Sequence, residues 1–172
     1  RSKPMGKANR SKSFVTGFVP TCAGFIPVAS TDVTGREMLG HWRVRWGMGR
    51  MDFKVNPGLY AIGSPGQSSP VFVTANYKLS FDSVRKSLHG LDSWLIVLDT
   101  NGVNVWCAAG KGTFGTDEVV RRIRQARLSS LVSHRKVILP QLGATGVAAH
   151  DVRRETGFTV VYGPVRASDI PQ

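Results

Sequence analysis

Cys107 stands in the run Asn104-Val105-Trp106-Cys107-Ala108-Ala109-Gly110-Lys111, followed by Gly112-Thr113-Phe114-Gly115-Thr116. A cysteine between a tryptophan and two alanines, closed by a glycine, is an unusual piece of core. Asn104 can cap a helix N-terminus, and Gly110 can end the helix in the left-handed conformation that other residues avoid. The spacing therefore predicts a helix of barely two turns with Cys107 in its first turn. The positive end of a helix favours thiolate over thiol, and a thiolate can serve as a soft ligand for a metal centre. The plainer reading of Cys107 is a small buried hydrophobe. Cys22 fits that plainer reading, because its neighbours Thr21, Ala23, Gly24 and Phe25 include no partner ligand.

Other patterns carry less chemistry. Gly110-Lys-Gly112-Thr-Phe-Gly115 has the glycine spacing of a dinucleotide loop, but such a loop follows directly on a strand and needs an acid about 20 residues further on. The strand expected here ends near Leu98, and positions 129–139 hold no Asp or Glu. A Walker-type phosphate loop fails as well, since its first glycine would fall at Val105. The histidines His41, His89, His134 and His150 have no ligand spacing and read as surface or packing residues. Arg121, Arg122, Arg124 and Arg127 form most of one solvated helix face without the interleaved aromatics of a nucleic-acid groove. Trp42 and Trp46 amid Arg43, Arg45 and Arg50 fit nucleic acid or a membrane surface better.

The elements that must position these residues follow from composition and pattern. The chain of 172 residues, 41% hydrophobic, is long enough for one domain with a real core. Its net charge of +12 points to an anionic partner. Residues 1–50 carry nine Lys/Arg against two acids and residues 116–172 nine against five, whereas residues 51–115 carry five against four. The segment holding the cysteine run is thus nearly neutral. Two cysteines far apart give neither a disulfide framework nor zinc spacing, which favours a reducing, cytoplasmic setting. No apolar run approaches the roughly 18 to 20 residues of a membrane span.

Residues 1–12 read as a basic tail, and residues 1–40 together as tail and lead-in to a domain over 41–172. Residues 51–63 predict two short strands around an Asn56-Pro57-Gly58 turn. From residue 70 strand and helix alternate: strands at 70–75, 94–98, 136–139 and 159–162, helices at 81–88, from Thr116 as cap, and at 146–156. The helix after Thr116 should bury Val119, Ile123 and Ala126. That alternation predicts an α/β fold, a Rossmann-like doubly wound parallel sheet with a small β element before it and a short cap helix. Ligands of such sheets bind at loops leaving the carboxyl ends of the strands. Those loops are 75–77, 100–115, 140–144 and 163–164, rich in small residues and amides, and they suit a large, flat ligand with many amide groups.

Asn104 to Lys111 closely resembles the cap-helix signature of the corrinoid protein of the microbial mercury-methylating pair. Similar stretches are Arg45 to Met51, Pro57 to Ala61, Pro70 to Asp82, Leu139 to Gly143 and Val161 to Ala167, so the likeness covers about residues 40–171. The corrinoid subunit of the acetyl-CoA pathway's iron–sulfur protein is a more distant relative of similar fold. The Asp-x-His-x-x-Gly signature of many cobalamin-binding domains is absent. The resemblance implies a corrinoid (cobalamin) cofactor whose cobalt takes Cys107 as its lower axial ligand. It implies a methyltransferase that accepts a methyl group from a folate-linked donor and delivers it to Hg(II), with a ferredoxin-like two-cluster iron–sulfur partner. It also implies a place at the cytoplasmic face of the inner membrane, through membrane helices beyond this chain, and no nucleic acid. Thr74, Asn76, Asn104, Val105, Trp106, Cys107, Ala108, Ala109, Gly110, Lys111, Gly112, Thr113, Phe114, Leu142, Gly143, Gly163 and Pro164 are the expected cofactor contacts. Trp106, Ala108 and Ala109 are expected to let the macrocycle sit close to the helix. The alternatives are methyl transfer into carbon metabolism, as in acetyl-CoA synthesis, and a basic nucleic-acid-binding module.

Overall fold

The computed structural model describes residues 14–35, 54–164 and 167–170. The expected tail over 1–12 and the basic-aromatic stretch 41–50 lie outside the described residues. Seven strands form one sheet: β1 (Val15–Thr21), β2 (Gly24–Ala29), β3 (Gly58–Ile62), β4 (Val71–Ala75), β5 (Ser93–Leu98), β6 (Lys136–Leu139) and β7 (Thr159–Tyr162), in the order β1-β2-β3-β5-β4-β6-β7. The helices are α1 (Lys78–Ser87), α2 (Val105–Gly110), α3 (Thr116–Gln125), α4 (Leu128–Leu131) and α5 (Ala149–Thr156), with 3-10 turns at Gln141–Gly146 and Ala167–Asp169.

The expected parallel arrangement holds for β5-β4-β6-β7, which pair in parallel throughout. The sheet as a whole is mixed, because β3 runs antiparallel to β5 and β1 antiparallel to β2. The cause is the length of the connections. A parallel crossover needs a dozen or more residues, and the chain between Ile62 and Val71 is too short for one. The hairpin β1–β2, part of the expected lead-in, joins the sheet through a parallel contact, Val28 opposite Ala61. The two strands expected over 51–63 reduce to β3. Residues 51–53 are outside the described set, and Lys54 makes only an isolated bridge to Tyr77.

Both faces of the sheet are covered, which is why its central strands read as nearly continuous apolar runs. On one face Val71, Val73 and Ala75 of β4 pack with Trp94, Ile96 and Leu98 of β5 under α3 and α5. On the other, Phe72, Leu95 and Val97 pack with Phe14 and with Phe81 and Leu88 at α1. Helix α3 buries Val119, Val120 and Ile123 and carries Asp117 and Glu118 in its first turn. Its N-cap is Gly115 rather than Thr116, whose hydroxyl instead accepts a hydrogen bond from the Ala148 N–H (2.9 Å), tying α3 to the start of α5. Helix α1 begins at Lys78, a turn earlier than its apolar pattern predicts.

That extra turn brings an ionic anchor with it. Arg85, fully buried, donates through Nε to Asp82 (2.7 Å) and through Nη1 to the Ser30 and Asp32 carbonyls (2.6 and 2.7 Å). Lys78 reaches the same Asp82 carboxylate (2.5 Å), and the Arg85 guanidinium lies over the Phe14 ring (5.5 Å). The cluster fastens α1 to the segment leaving β2. Removing one member of such a buried set leaves the other charge without its partner, at a cost of about 3–5 kcal/mol. Arg85→Ala is therefore expected to lower unfolding stability by that amount in urea. Arg85→Lys should recover little, because an ammonium cannot reproduce the forked contacts.

Candidate functional site

Strands β5 and β6 flank β4 on opposite sides, so the crossovers leaving β4 and β5 diverge and open a crevice at the carboxyl end of the sheet. Ligands of open α/β sheets bind at this switch point. A cavity of about 1060 Å³ occupies it, lined by Phe72 to Thr74 of β4, Ile138 to Pro140 at β6, Asn104 to Trp106 of the cap, Leu142, and Gly163-Pro164 after β7. Its size is at the upper end of ligand pockets, about 300–1,000 Å³. The cavity continues along α1 to a polar end at Thr31, Asp32, Ser83, Lys86 and His89, where Thr31 Oγ1 and His89 Nδ1 are hydrogen-bonded at 2.9 Å. The Thr74 hydroxyl, on the wall, is buried and has no hydrogen-bond partner.

The cap helix α2 forms as its sequence predicts at one end and differently at the other. The Asn104 side chain accepts from the Cys107 N–H at 2.9 Å. At the far end the left-handed residue is Gly112 (φ 76°) rather than Gly110, because Lys111 continues the helical conformation as C-cap. The N–H groups of Thr113 and Phe114 then both close on the Ala108 carbonyl (2.9 and 3.1 Å).

Burial divides the cap into two faces. Val105, Ala108 and Ala109 point into the core. Trp106 is 68% exposed, Cys107 is half-buried and Gly110 is exposed. At helical spacing Gly110 falls between Trp106 and Cys107 on the outward face, and a Cβ there would meet nothing within 4 Å. Ala108 and Ala109 therefore serve a different end from the one expected: their smallness lets the helix sit low on the protein. A Cβ on Gly146 would stand 2.1 Å from the Phe114 carbonyl oxygen and 3.0 Å from the Ala109 Cα, and one on Gly143 would stand 2.4 Å from the Phe114 ring. The turn Gln141–Gly146 and the cap are locked together by these absences.

Of the expected site residues, Thr74, Asn104, Val105, Trp106, Leu142, Gly163 and Pro164 line the cavity. Cys107, Gly110, Lys111 and Gly112 belong to the outer side of the cap beside it. Ala108, Ala109, Phe114 and Gly143 hold the cap in place, and Thr113 is half-buried with its hydroxyl directed at the Ala108 carbonyl (3.4 Å). Asn76 stands apart. Its Oδ1 accepts from Thr100 N, Thr100 Oγ1 and Gly102 N (2.9–3.0 Å) and its Nδ2 donates to Asp99, so the amide is spent on folding the loop after β5. Sequence reasoning missed Gly146 and the α1 wall. Gly146 gave a signal only through its place in a glycine-containing turn; the α1 wall gave none. Among the described residues no group of three or more His, Cys, Asp or Glu side chains is assembled for a metal.

Two measurements check this geometry. Thr74→Val removes an unpaired buried hydroxyl without changing the side chain's shape, so stability in urea should hold or rise by about 1–3 kcal/mol. Gly146→Ala should lower stability by about 1–3 kcal/mol through overpacking and should speed amide hydrogen exchange in residues 105–114.

Residues 46–172 match the family described as CO dehydrogenase/acetyl-CoA synthase delta subunit. The chain is 35% identical over 123 residues to the acetyl-CoA decarbonylase/synthase complex subunit gamma of Archaeoglobus fulgidus, covering 70% of this chain and 26% of that protein. To the subunit of the same name in Methanopyrus kandleri it is 35% identical over 121 residues, 69% of this chain and 26% of the relative. To the corrinoid/iron-sulfur protein large subunit of Moorella thermoacetica it is 30% identical over 123 residues, 70% and 27% of the two chains. The chain thus spans about a quarter of the length of the relatives it matches.

Proposed function

This chain belongs to the CO dehydrogenase/acetyl-CoA synthase delta subunit family, and from that premise we propose that it is a corrinoid-binding domain that carries methyl groups. One observation carries the proposal: a large cavity at the switch point of the sheet lies beside a cap helix that turns its alanines inward and Trp106, Cys107 and Gly110 outward. The residues fit such a group. Thr74 offers an unsatisfied hydroxyl to a ligand rich in amides. Gly110 leaves a flat place for a macrocycle between the indole and the thiol. The polar end of the cavity at Ser83, Lys86 and His89 suits a hydrophilic appendage.

When bound, a corrinoid supplies the cobalt chemistry by which a methyl group passes between donor and acceptor. The protein's own part is to hold and tune. Asn104 fixes the first turn of the cap and so the position of Cys107. The Cys107 sulfur, which has no hydrogen-bond partner among the described residues, is the group we assign as lower ligand. Trp106 and Leu142, both partly exposed at the rim, shield the cavity mouth from water.

The relatives' names support an acceptor in acetyl-CoA chemistry and partners within a multisubunit complex. A second reading, methyl transfer to Hg(II) with a ferredoxin-like electron donor, rests on the cap sequence and on Cys107 lying on the outward face. A thiolate donates more charge to a metal than a neutral imidazole does, which suits a soft, electrophilic acceptor.

The domain reconstituted with methylcobalamin should show a thiolate-dependent absorption spectrum that Cys107→Ala loses. Gly110→Leu, at a site with open space around it, should leave the fold intact and reduce corrinoid uptake at least about tenfold if the macrocycle rests on this face. Identical spectra from the parent and Cys107→Ala would remove the axial thiolate. Methyl transfer from the loaded domain should then be followed to Hg(II). Product formed by the parent and lost in Cys107→Ala supports mercury as acceptor, whereas no product leaves the acetyl-CoA-type carrier.

A further inference from the structure

The hairpin β1–β2 lies outside the family-matched segment and at the edge of the sheet farthest from β7. From Phe14 to Thr31 it contains no charged residue. Its two faces differ. Val19 and Ile26 stand opposite each other and turn into the core. On the other face Phe18 pairs with Pro27 and Pro20 with Phe25, so four apolar side chains share one surface. Phe18 is 65% exposed and Phe25 76%, the two large hydrophobic side chains of the hairpin that are left in water. Residues 1–13, which lead directly into β1, carry five Lys/Arg and no acid.

An uncharged aromatic surface next to a polybasic segment is the composition that binds an anionic lipid surface, apolar groups entering the interface while basic side chains meet the headgroups. We propose that the Phe18/Phe25 face of the hairpin docks on an anionic phospholipid bilayer, with Arg1, Lys3, Lys7, Arg10 and Lys12 supplying the electrostatic attraction. Charge complementarity selects this occupant. A second copy of the chain would bring a further +12 to the same place and be repelled. A single-stranded nucleic acid needs basic groups interleaved with the stacking aromatics, and this face has none between its two phenylalanines. The surface is independent of the proposed corrinoid site.

The test is flotation of the full chain with vesicles of phosphatidylcholine alone and of phosphatidylcholine mixed with phosphatidylglycerol. The parent should float with the mixed vesicles and not with the neutral ones, and added salt should release it. Phe18→Ser with Phe25→Ser, both on exposed positions, should weaken partitioning at least about tenfold while far-ultraviolet circular dichroism stays unchanged. Replacing Lys3, Lys7, Arg10 and Lys12 by Gln should weaken it about fivefold per residue. Three results would overturn the proposal: no preference for the anionic vesicles, equal partitioning of the parent and the double Phe variant, or displacement from the vesicles by a single-stranded oligonucleotide. A parent that sediments as a dimer and becomes monomeric in the Phe variant would assign the face to a second copy instead.

Discussion

Two glycines without side chains decide where the cap helix lies. At six residues the helix is far too short to hold itself together in water, where isolated helices below about 12–15 residues are marginal. Its stability comes from contact, and the contact is with the Gln141–Gly146 turn. Phe114 lies against Gly143 and Ala109 against Gly146, at separations no Cβ would permit. The cap and the turn after β6 thus behave as one body, and the cavity between them and α1 takes its shape from that union.

The opposite wall is held by other means. Helix α1 is fastened by Arg85, whose guanidinium satisfies a carboxylate and two carbonyls with no water needed. Burying these charges carries a desolvation cost that the local geometry has to recover. The returns are positional: α1 cannot slide along the sheet without breaking contacts to the segment after β2. One wall is therefore set by steric fit and the other by an ionic anchor, with Thr74 between them.

Much of this was legible in the sequence where local rules dominate. The strands β4 to β7 announced themselves by apolar runs, and the Asn104 cap by residue type and spacing. The direction of β3 was not legible, because it depends on the length of a loop and on which neighbour a strand selects. The resting place of Gly112 in the left-handed region was missed since Lys111 could prolong the helix. Asn76 was placed in the site on its position after a strand, yet its amide is consumed by the loop at 99–102. Burial within the cap could be foreseen from periodicity, but the partner that makes Ala109 necessary lies nearly forty positions away. Long-range close approach leaves little trace in a single sequence beyond the glycine itself.

The reversal at β3 divides the sheet into two regions of different history. Strands β4 to β7 share one direction, one pair of crossovers and one crevice, and a change of register in any of them would disturb the wall. The hairpin is grafted on through a single parallel contact at Val28 and Ala61, upstream of the family-matched segment. A lineage can exchange, lengthen or discard such an appendage while leaving the crevice untouched. The sheet edge is thus where this domain is free to acquire a new address, and the switch point is where it keeps its trade.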